Sequence, residues 1–308
     1  MTTMSAAIII PAYNAAAWLA EAIGSALAQT QPAAQVIVVD DGSTDDTAAI
    51  AEKFADAVML LRRPNAGVSA ARNHGAAQTT AEWLLFLDAD DRLLPGAVAV
   101  MLARAGEGDF GVIYGQSVDF NEAGAFGNQH GNDKMQGPPP AGAKKAFWKA
   151  PIATPGAALV RRDVFERAGG WNPRFNTTAD RDLWCRIGTL AEFGFVHHVV
   201  VERRIHGRNM SADKNRARRQ AVEVQLAFLE WGAALGIATD FLATNEQEIF
   251  DRNAKRAIEE RAFDAVAWIS AEAEKRGITT DTLARARRLA AMPGFAREIE
   301  LNVRGIFS

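Results

Sequence analysis

The first hundred residues alternate short, wholly apolar runs with segments whose apolar residues recur at helical spacing. Residues 6–10 form the first run, which ends at Pro11. Across residues 16–29, Trp18, Leu19, Ala22, Ile23, Ala26 and Leu27 follow the three- and four-residue intervals of one helix face. Residues 36–39 are a second run, 45–54 a second helical segment, and 83–87 a third run. Strands that are apolar throughout, instead of alternating, are covered on both faces, so this order predicts a parallel sheet between layers of helices. Ligands of such sheets bind beyond the carboxyl ends of the strands. Two acidic clusters fall at those ends.

The pattern then changes twice. Residues 124–142, rich in Gly, Asn and Pro, read as a long surface loop. Another compact block runs from Pro151 to about His206, and beyond Asp213 the pattern is helical. Leu289, Met292, Phe295, Ile299 and Val303 are predicted to share one helix face.

Composition narrows the choices. Of 308 residues, 48% are hydrophobic and 23% charged, as in an ordinary globular protein. The formal net charge of -3 argues against wholesale nucleic-acid binding, which needs a basic excess. A single cysteine, Cys185, excludes an intrachain disulfide framework and a cysteine-rich zinc site, and makes a reducing, cytoplasmic setting the expectation. The first 20 residues carry no charge, but their apolar run is too short to cross a bilayer and no positive region precedes it. Any membrane contact is expected from the surface.

Candidate chemistry begins at residues 36–46, VIVVDDGSTDD. Gly42 permits a tight turn, Ser43 or Thr44 can cap the next helix, and Asp45 and Asp46 suit its first turn. Capping accounts less well for Asp40 and Asp41, which precede the turn and crowd two negative charges. A carboxylate there can accept hydrogen bonds from a nucleobase imide or from ribose hydroxyls. Residues 83–91, WLLFLDADD, place Asp88, Asp90 and Asp91 at the end of another apolar run. Aspartates are common in solvated turns. Three so close after a buried strand repel one another unless a cation intervenes, and hard oxygen ligands suit Mg²⁺ or Mn²⁺ together with substrate phosphate oxygens.

These segments, in order, resemble the family 2 glycosyltransferases. The resemblance spans about residues 5–211: IIIPAYN at 8–14, VIVVDDGSTD at 36–45, NAGVSAARNHG at 65–75, LDADD at 87–91, RAGGWNPRF at 167–175, ADRDLWCR at 179–186 and RIHGRNMS at 204–211. It implies a GT-A fold, a Rossmann-like mixed sheet flanked by helices, over residues 1–211, with a helical C-terminal region over 212–308. It implies an inverting transfer of sugar from a nucleoside diphosphate, UDP favoured, to an acceptor hydroxyl on a saccharide or a lipid-linked acceptor, in the setting of cell-surface polysaccharide or glycolipid assembly. By the same resemblance Pro11, Tyr13 and Asp41 form the nucleoside floor and Asp40 supports it. Arg72 lines the nucleotide pocket, Asp88 and Asp90 are ribose and metal contacts, Asp91 shares the Mn²⁺ or Mg²⁺, and His206 stands near diphosphate and metal.

Asp180 corresponds to the catalytic base, with Asp182 its competitor; the family's common Glu before this Asp is Ala179 here. From the residues alone, Asp180 reads as a helix N-cap. His197 and His198 read as structural, and Trp171 as either packing or a sugar-stacking wall. The basic run of Lys214, Arg216, Arg218 and Arg219 reads as a solvated helix face ahead of a phosphate or anionic-lipid contact. The helical tail packs against the catalytic domain in the first-ranked reading, ahead of a dimer contact or a peripheral membrane surface. A nucleotidyltransferase would show a glycine-rich loop after the first strand, where this chain has PAYNAAAW and no glycine before Gly24. A glycoside hydrolase would need no nucleoside elements.

Overall fold

All seven residues from Ala6 to Ala12 are buried, and this strand, β1, is the one around which the sheet is built in the computed structural model. The structure describes residues 4–121, 124–149, 152, 154–207, 213–294 and 300. The chain divides into two compact units, Met1–Asn209 and Met210–Ser308. In the first, β2 (Gln35–Asp40) and β4 (Trp83–Phe86) flank β1, both parallel to it, and β3 (Met59–Arg62) continues beyond β2. The remaining strands are β5 (Arg92–Leu93), β6 (Phe110–Asn121), β7 (Gly124–His130), β8 (Ala158–Arg161) and β9 (Glu192–Arg204). Their order is β3-β2-β1-β4-β8-β6-β9-β5, with β7 paired to β6.

Of the four strands in the parallel half, β1, β2 and β4 are those that the apolar runs predict, and β3 is not. The other half makes the sheet mixed, because β8 runs antiparallel to both β4 and β6, and β5 antiparallel to β9. From β1 the chain builds outward to β2 and β3 on one side and to β4 on the other. The carboxyl ends of β1, β2 and β4 are therefore the edge of the sheet at which ligands of open α/β sheets bind.

Helices α1 (Leu19–Leu27), α2 (Thr47–Glu52), α3 (Val68–Ala76), α4 (Ala97–Ala105), α5 (Ala141–Trp148), α6 (Arg162–Arg167) and α7 (Ala179–Ile187) accompany the sheet. Helix α1 buries Leu19, Ala22, Ile23 and Ala26 of the stripe its spacing predicts, while Leu27 at its end is exposed and Trp18 before it is half-buried. Helix α3 lies so close to the sheet that a Cβ on Gly75 would stand 2.5 Å from Ile9 Cγ2 and 3.1 Å from Val39 Cγ2.

The long loop expected at 124–142 is instead a hairpin strand and a helix start. β7 pairs with β6 from Asn121↔Gly124 to Ser117↔His130, a 3-10 turn spans Asp133–Met135, and α5 begins at Ala141. Backbone pairing, not an apolar period, holds this strand, so its Gly- and Asn-rich sequence hides it. Ser43 and Thr44 do not cap α2: the helix begins at Thr47, whose N–H donates to Asp45 Oδ1 (3.0 Å).

In the second unit, α8 (Lys214–Ala234), α9 (Glu246–Glu259), α10 (Phe263–Lys275) and α11 (Asp281–Ala291) carry the buried residues Leu226, Phe228, Phe250, Ile258, Ile269, Leu283 and Leu289. Asp213, Asn245 and Thr280 accept N-cap hydrogen bonds at the starts of α8, α9 and α11. The helix face predicted through Met292 stops short. Met292 is extended, and the following Pro293 disfavours the helical conformation in the residue before it. Phe295, Ile299 and Val303 lie outside the described residues, as do Arg208, Asn209 and Ser211 of the RIHGRNMS segment. Among the described residues, no helix is long and apolar enough to cross a membrane.

Candidate active site

Two carboxylate clusters flank the end of β1, as the strand register requires: Ala12 pairs with Asp40 on one side, and Ile9 with Phe86 on the other. Pro11 is buried in the strand, and Tyr13, just past it, is 53% exposed. The loop that follows is stitched to the exit of β2. Asn14 N–H donates to Ser43 Oγ (3.0 Å), Thr44 N–H to Asn14 Oδ1 (2.9 Å), and Ala15 N–H to Thr47 Oγ1 (2.8 Å).

Asp40 and Asp41 are each 2% exposed and serve the chain's own loops. Asp40 Oδ1 accepts from Ser43 N–H (3.0 Å). Asp41 accepts from Gly67 N–H (2.7 Å) and Ala66 N–H (3.2 Å), and meets Arg63 Nε at 3.2 Å. Gly42 makes this closure possible: its φ is +78°, and a Cβ would fall 2.7 Å from Asn65 N. Through residues 66 and 67, Asp41 fixes the entry to α3.

Helix α3 carries Arg72 into the second cluster. Its Nη2 donates to Asp88 Oδ1 at 2.5 Å, and its guanidinium lies 4.3 Å from the centre of the Trp171 ring. Asn73 brackets the Trp171 backbone, donating to its C=O (2.7 Å) and accepting from its N–H (2.9 Å). Trp171 is fully buried against Phe86 and Trp184, which settles packing over a sugar-facing wall. The same loop leads to α7, and Asp180 sits in the first turn of that helix.

The three aspartates after β4 take different positions. Asp88 and Asp90 keep 30% and 27% of their side chains exposed. Asp91, grouped by its sequence with the metal ligands, is turned inward instead: it is 3% exposed, and its oxygens accept from Thr154 Oγ1 (2.9 Å) and Arg204 N–H (2.9 Å). It holds the acidic loop to β9. Asp90 faces His206, with Oδ2 and Nε2 3.0 Å apart.

Burial, reinforced by Asp88, raises the Asp90 carboxyl above the usual carboxylate range, with His206 opposing. Asp91 is pushed up further by burial and by both neighbouring carboxylates. Asp180 is raised chiefly by burial; the Arg181 and Arg72 charges oppose this and Asp88 adds to it, so Asp180 shares the electrostatic field of the second cluster. Asp182, the competing base, is committed to a buried ion pair with Arg186.

The donor set at Asp90 and His206 fits a divalent cation. They supply a carboxylate oxygen and an imidazole nitrogen, donor types such a cation accepts, and here the two meet each other at 3.0 Å. Among the described residues no three His, Cys, Asp or Glu side chains are grouped so as to hold a metal ion by themselves. His197 and His198 lie exposed on β9, away from this set. A cavity of about 600 Å³ beside Asn73, Arg162 and Phe165 contains none of these carboxylates.

Hydrogen bonds thus join Arg72, Asp88, Asp90, Asp91 and His206 in one network through Thr154 and Arg204, with Asp180 within its electrostatic reach, Asp40 and Asp41 at the end of β2 beside it, and Tyr13 exposed at the strand end between them. Thr154 and Trp18, the latter stacked on His206, also belong to it. No motif marks Thr154, and helical spacing assigns Trp18 to the apolar face of α1.

Known proteins share this architecture. The TarS 1-349 fragment of S. aureus, crystallised with UDP-GlcNAc, superposes with a TM-score of 0.60 at 17% identity, covering 89% of this chain and 93% of that one. The mannosyltransferase PcManGT of Pyrobaculum calidifontis, in complex with GDP-Man and Mn²⁺, superposes with a TM-score of 0.57 at 19% identity, covering 93% and 84%. The mixed sheet and its helices are the GT-A fold. In sequence, the succinoglycan biosynthesis protein ExoU of Rhizobium meliloti is 31% identical over 220 residues, 66% of this chain and 63% of the relative, so the match spans under two thirds of that protein. Residues 7–169, more than half of the chain, match the profile of Glycosyl transferase family 2, and the chain belongs to that family.

Proposed function

We propose that this glycosyltransferase moves a sugar from a nucleoside diphosphate, UDP favoured, to an acceptor hydroxyl with inversion at the anomeric carbon. The observation that carries the reading is the placement of Asp180. Its carboxyl stands at a helix N-terminus in the field of the Arg72–Asp88 pair, while its neighbour Asp182 is consumed by Arg186. Tyr13 offers an exposed ring to the base, and Asp41 shapes the loop beside it. Asp88 faces the ribose, and Asp90 with His206 would hold Mn²⁺ or Mg²⁺ against the diphosphate. Bound there, the cation supplies charge to the leaving phosphate oxygen.

Asp180 accepts the acceptor's proton as the hydroxyl oxygen bonds to the anomeric carbon. The bond to the diphosphate breaks on the opposite face, so a single displacement inverts the centre. A raised carboxyl is the better proton acceptor, because its affinity for the proton lies nearer the working pH. Neighbours bound to UDP-GlcNAc and to GDP-Man with Mn²⁺ support a nucleotide-sugar donor and a metal. The succinoglycan relative supports polysaccharide assembly as the setting.

The test measures release of UDP and GDP from a panel of nucleoside diphosphate sugars, with an oligosaccharide acceptor mixture, with Mn²⁺ and with EDTA. UDP release that needs both acceptor and metal is expected. Release from GDP-sugars alone would overturn the donor assignment, and full release in EDTA would overturn the metal.

A further inference from the structure

The first turn of α1 meets the end of β9 at two points. Glu21 pairs with both Arg204 and Arg92. Trp18, three residues before Glu21 and so on the same side of the turn, lies against His206, two residues after Arg204. The indole and imidazole rings are stacked, with centroids 4.1 Å apart and planes inclined by 15°. Asp90 approaches the edge of the same imidazole, 3.0 Å from Nε2. Arg204 ties this end of the chain to the acidic loop, its Nε donating to the Asp90 carbonyl at 3.0 Å.

An imidazole has no strong torsional preference about its ring bond, so its neighbours must set the direction of its ligand nitrogen. The core of α1 does not need Trp18. Leu19, Ala22, Ile23 and Ala26 fill the buried stripe, while Trp18 is only half-buried and stands at the N-cap with no capping bond from its side chain. We infer that Trp18 is a positioning residue, which fixes the plane of the His206 ring so that Nε2 is presented beside Asp90. This rests on the reading that Asp90 and His206 hold the cation. Trp18 itself touches neither metal nor sugar and acts through His206.

Two readouts test it. In metal-free protein, NMR follows the His206 ring protons, identified by the signals that His206→Ala removes. The indole above the ring is expected to shift them upfield in the wild type, and Trp18→Leu to return them toward free imidazole. In the second readout, electron paramagnetic resonance measures free Mn²⁺ in titrations with UDP present. Trp18→Leu is expected to weaken Mn²⁺ about tenfold, the lower end for loss of a residue that orients a ligand, and Trp18→Phe to restore most of the affinity. In a His206→Ala background, Trp18→Leu is expected to add less than about a twofold loss, because both act through one group.

Equal losses from Trp18→Leu in the two backgrounds, or unshifted His206 protons in the wild type, would overturn the positioning role alone. Unchanged Mn²⁺ affinity in His206→Ala would overturn the metal reading together with it.

Discussion

Asp182 and Arg186 lie one turn apart on α7 with only 2% and 4% of their surfaces exposed. The carboxylate accepts from Nε (3.1 Å) and Nη2 of the guanidinium. Burial raises the Asp182 carboxyl and the Arg186 charge pulls against it, so the intact pair adds little net stability. Removing one partner is different. Asp182→Ala leaves the guanidinium buried, with the Ala168 carbonyl still accepting from Nη1 but no carboxylate to balance its charge. Such a loss costs about 3–5 kcal/mol. In a unit of this size each kcal/mol lowers the melting midpoint by about 2–4 °C, so a fall of roughly 6–20 °C is expected. Differential scanning calorimetry of Asp182→Ala, Arg186→Met and the double variant measures it. The double variant is expected to recover most of the loss, since apolar residues replace a buried pair at little cost. A midpoint for Asp182→Ala within about 2 °C of the wild type, or a double variant no better than the single, would refute the reasoning. Asp180 answers oppositely. A carboxyl whose folded pKa is raised favours the folded state at acid pH and loses that contribution as pH climbs through the folded value. Asp180→Asn therefore melts at or above the wild-type midpoint at neutral pH.

The same raised carboxyl sets the acid side of catalysis: kcat is expected to fall as pH drops through a value above about 3.9, the ordinary aspartate figure. A pH–rate profile flat down to pH about 4 would contradict this. Tyr13→Ala, at a 53% exposed ring, is expected to weaken UDP by about 1–3 kcal/mol in isothermal titration, the range for loss of a stacked base. Its stability is expected to stay within about 0.5 kcal/mol. Gly75→Ala forces a methyl to 2.5 Å from Ile9 Cγ2 and is expected to cost about 1–3 kcal/mol in urea unfolding; an unchanged midpoint would mean that α3 can lift off β1 freely.

The parallel half of the sheet was legible because each of its apolar strands is buried on both faces and leaves a continuous run, as in residues 6–10 and 83–87. β3 left no such trace, being four residues of which none is fully buried. β7 left none either, since pairing with β6 sets its conformation and its Gly and Asn residues imitate a loop. At the site, charged side chains at strand ends stood out, so Asp40, Asp41, Asp88, Asp90 and Asp91 were visible as clusters. Their orientations were not. Asp91 is one residue from Asp90 yet points to Thr154 and Arg204, a difference set by segments distant in sequence. Trp18 and Thr154 escaped notice because helical spacing or a lone hydroxyl carries no mark of a contact more than 60 residues away.

The central claim is that Asp180 takes the proton opposite a nucleotide held by Asp88, Asp90 and their neighbours. Single-turnover transfer by Asp180→Asn, at saturating UDP-sugar, Mn²⁺ and acceptor, tests it most directly. A rate lower by about 10²–10⁴-fold is expected, with UDP affinity within about twofold of the wild type. Transfer at the wild-type rate, with UDP bound normally, would contradict it.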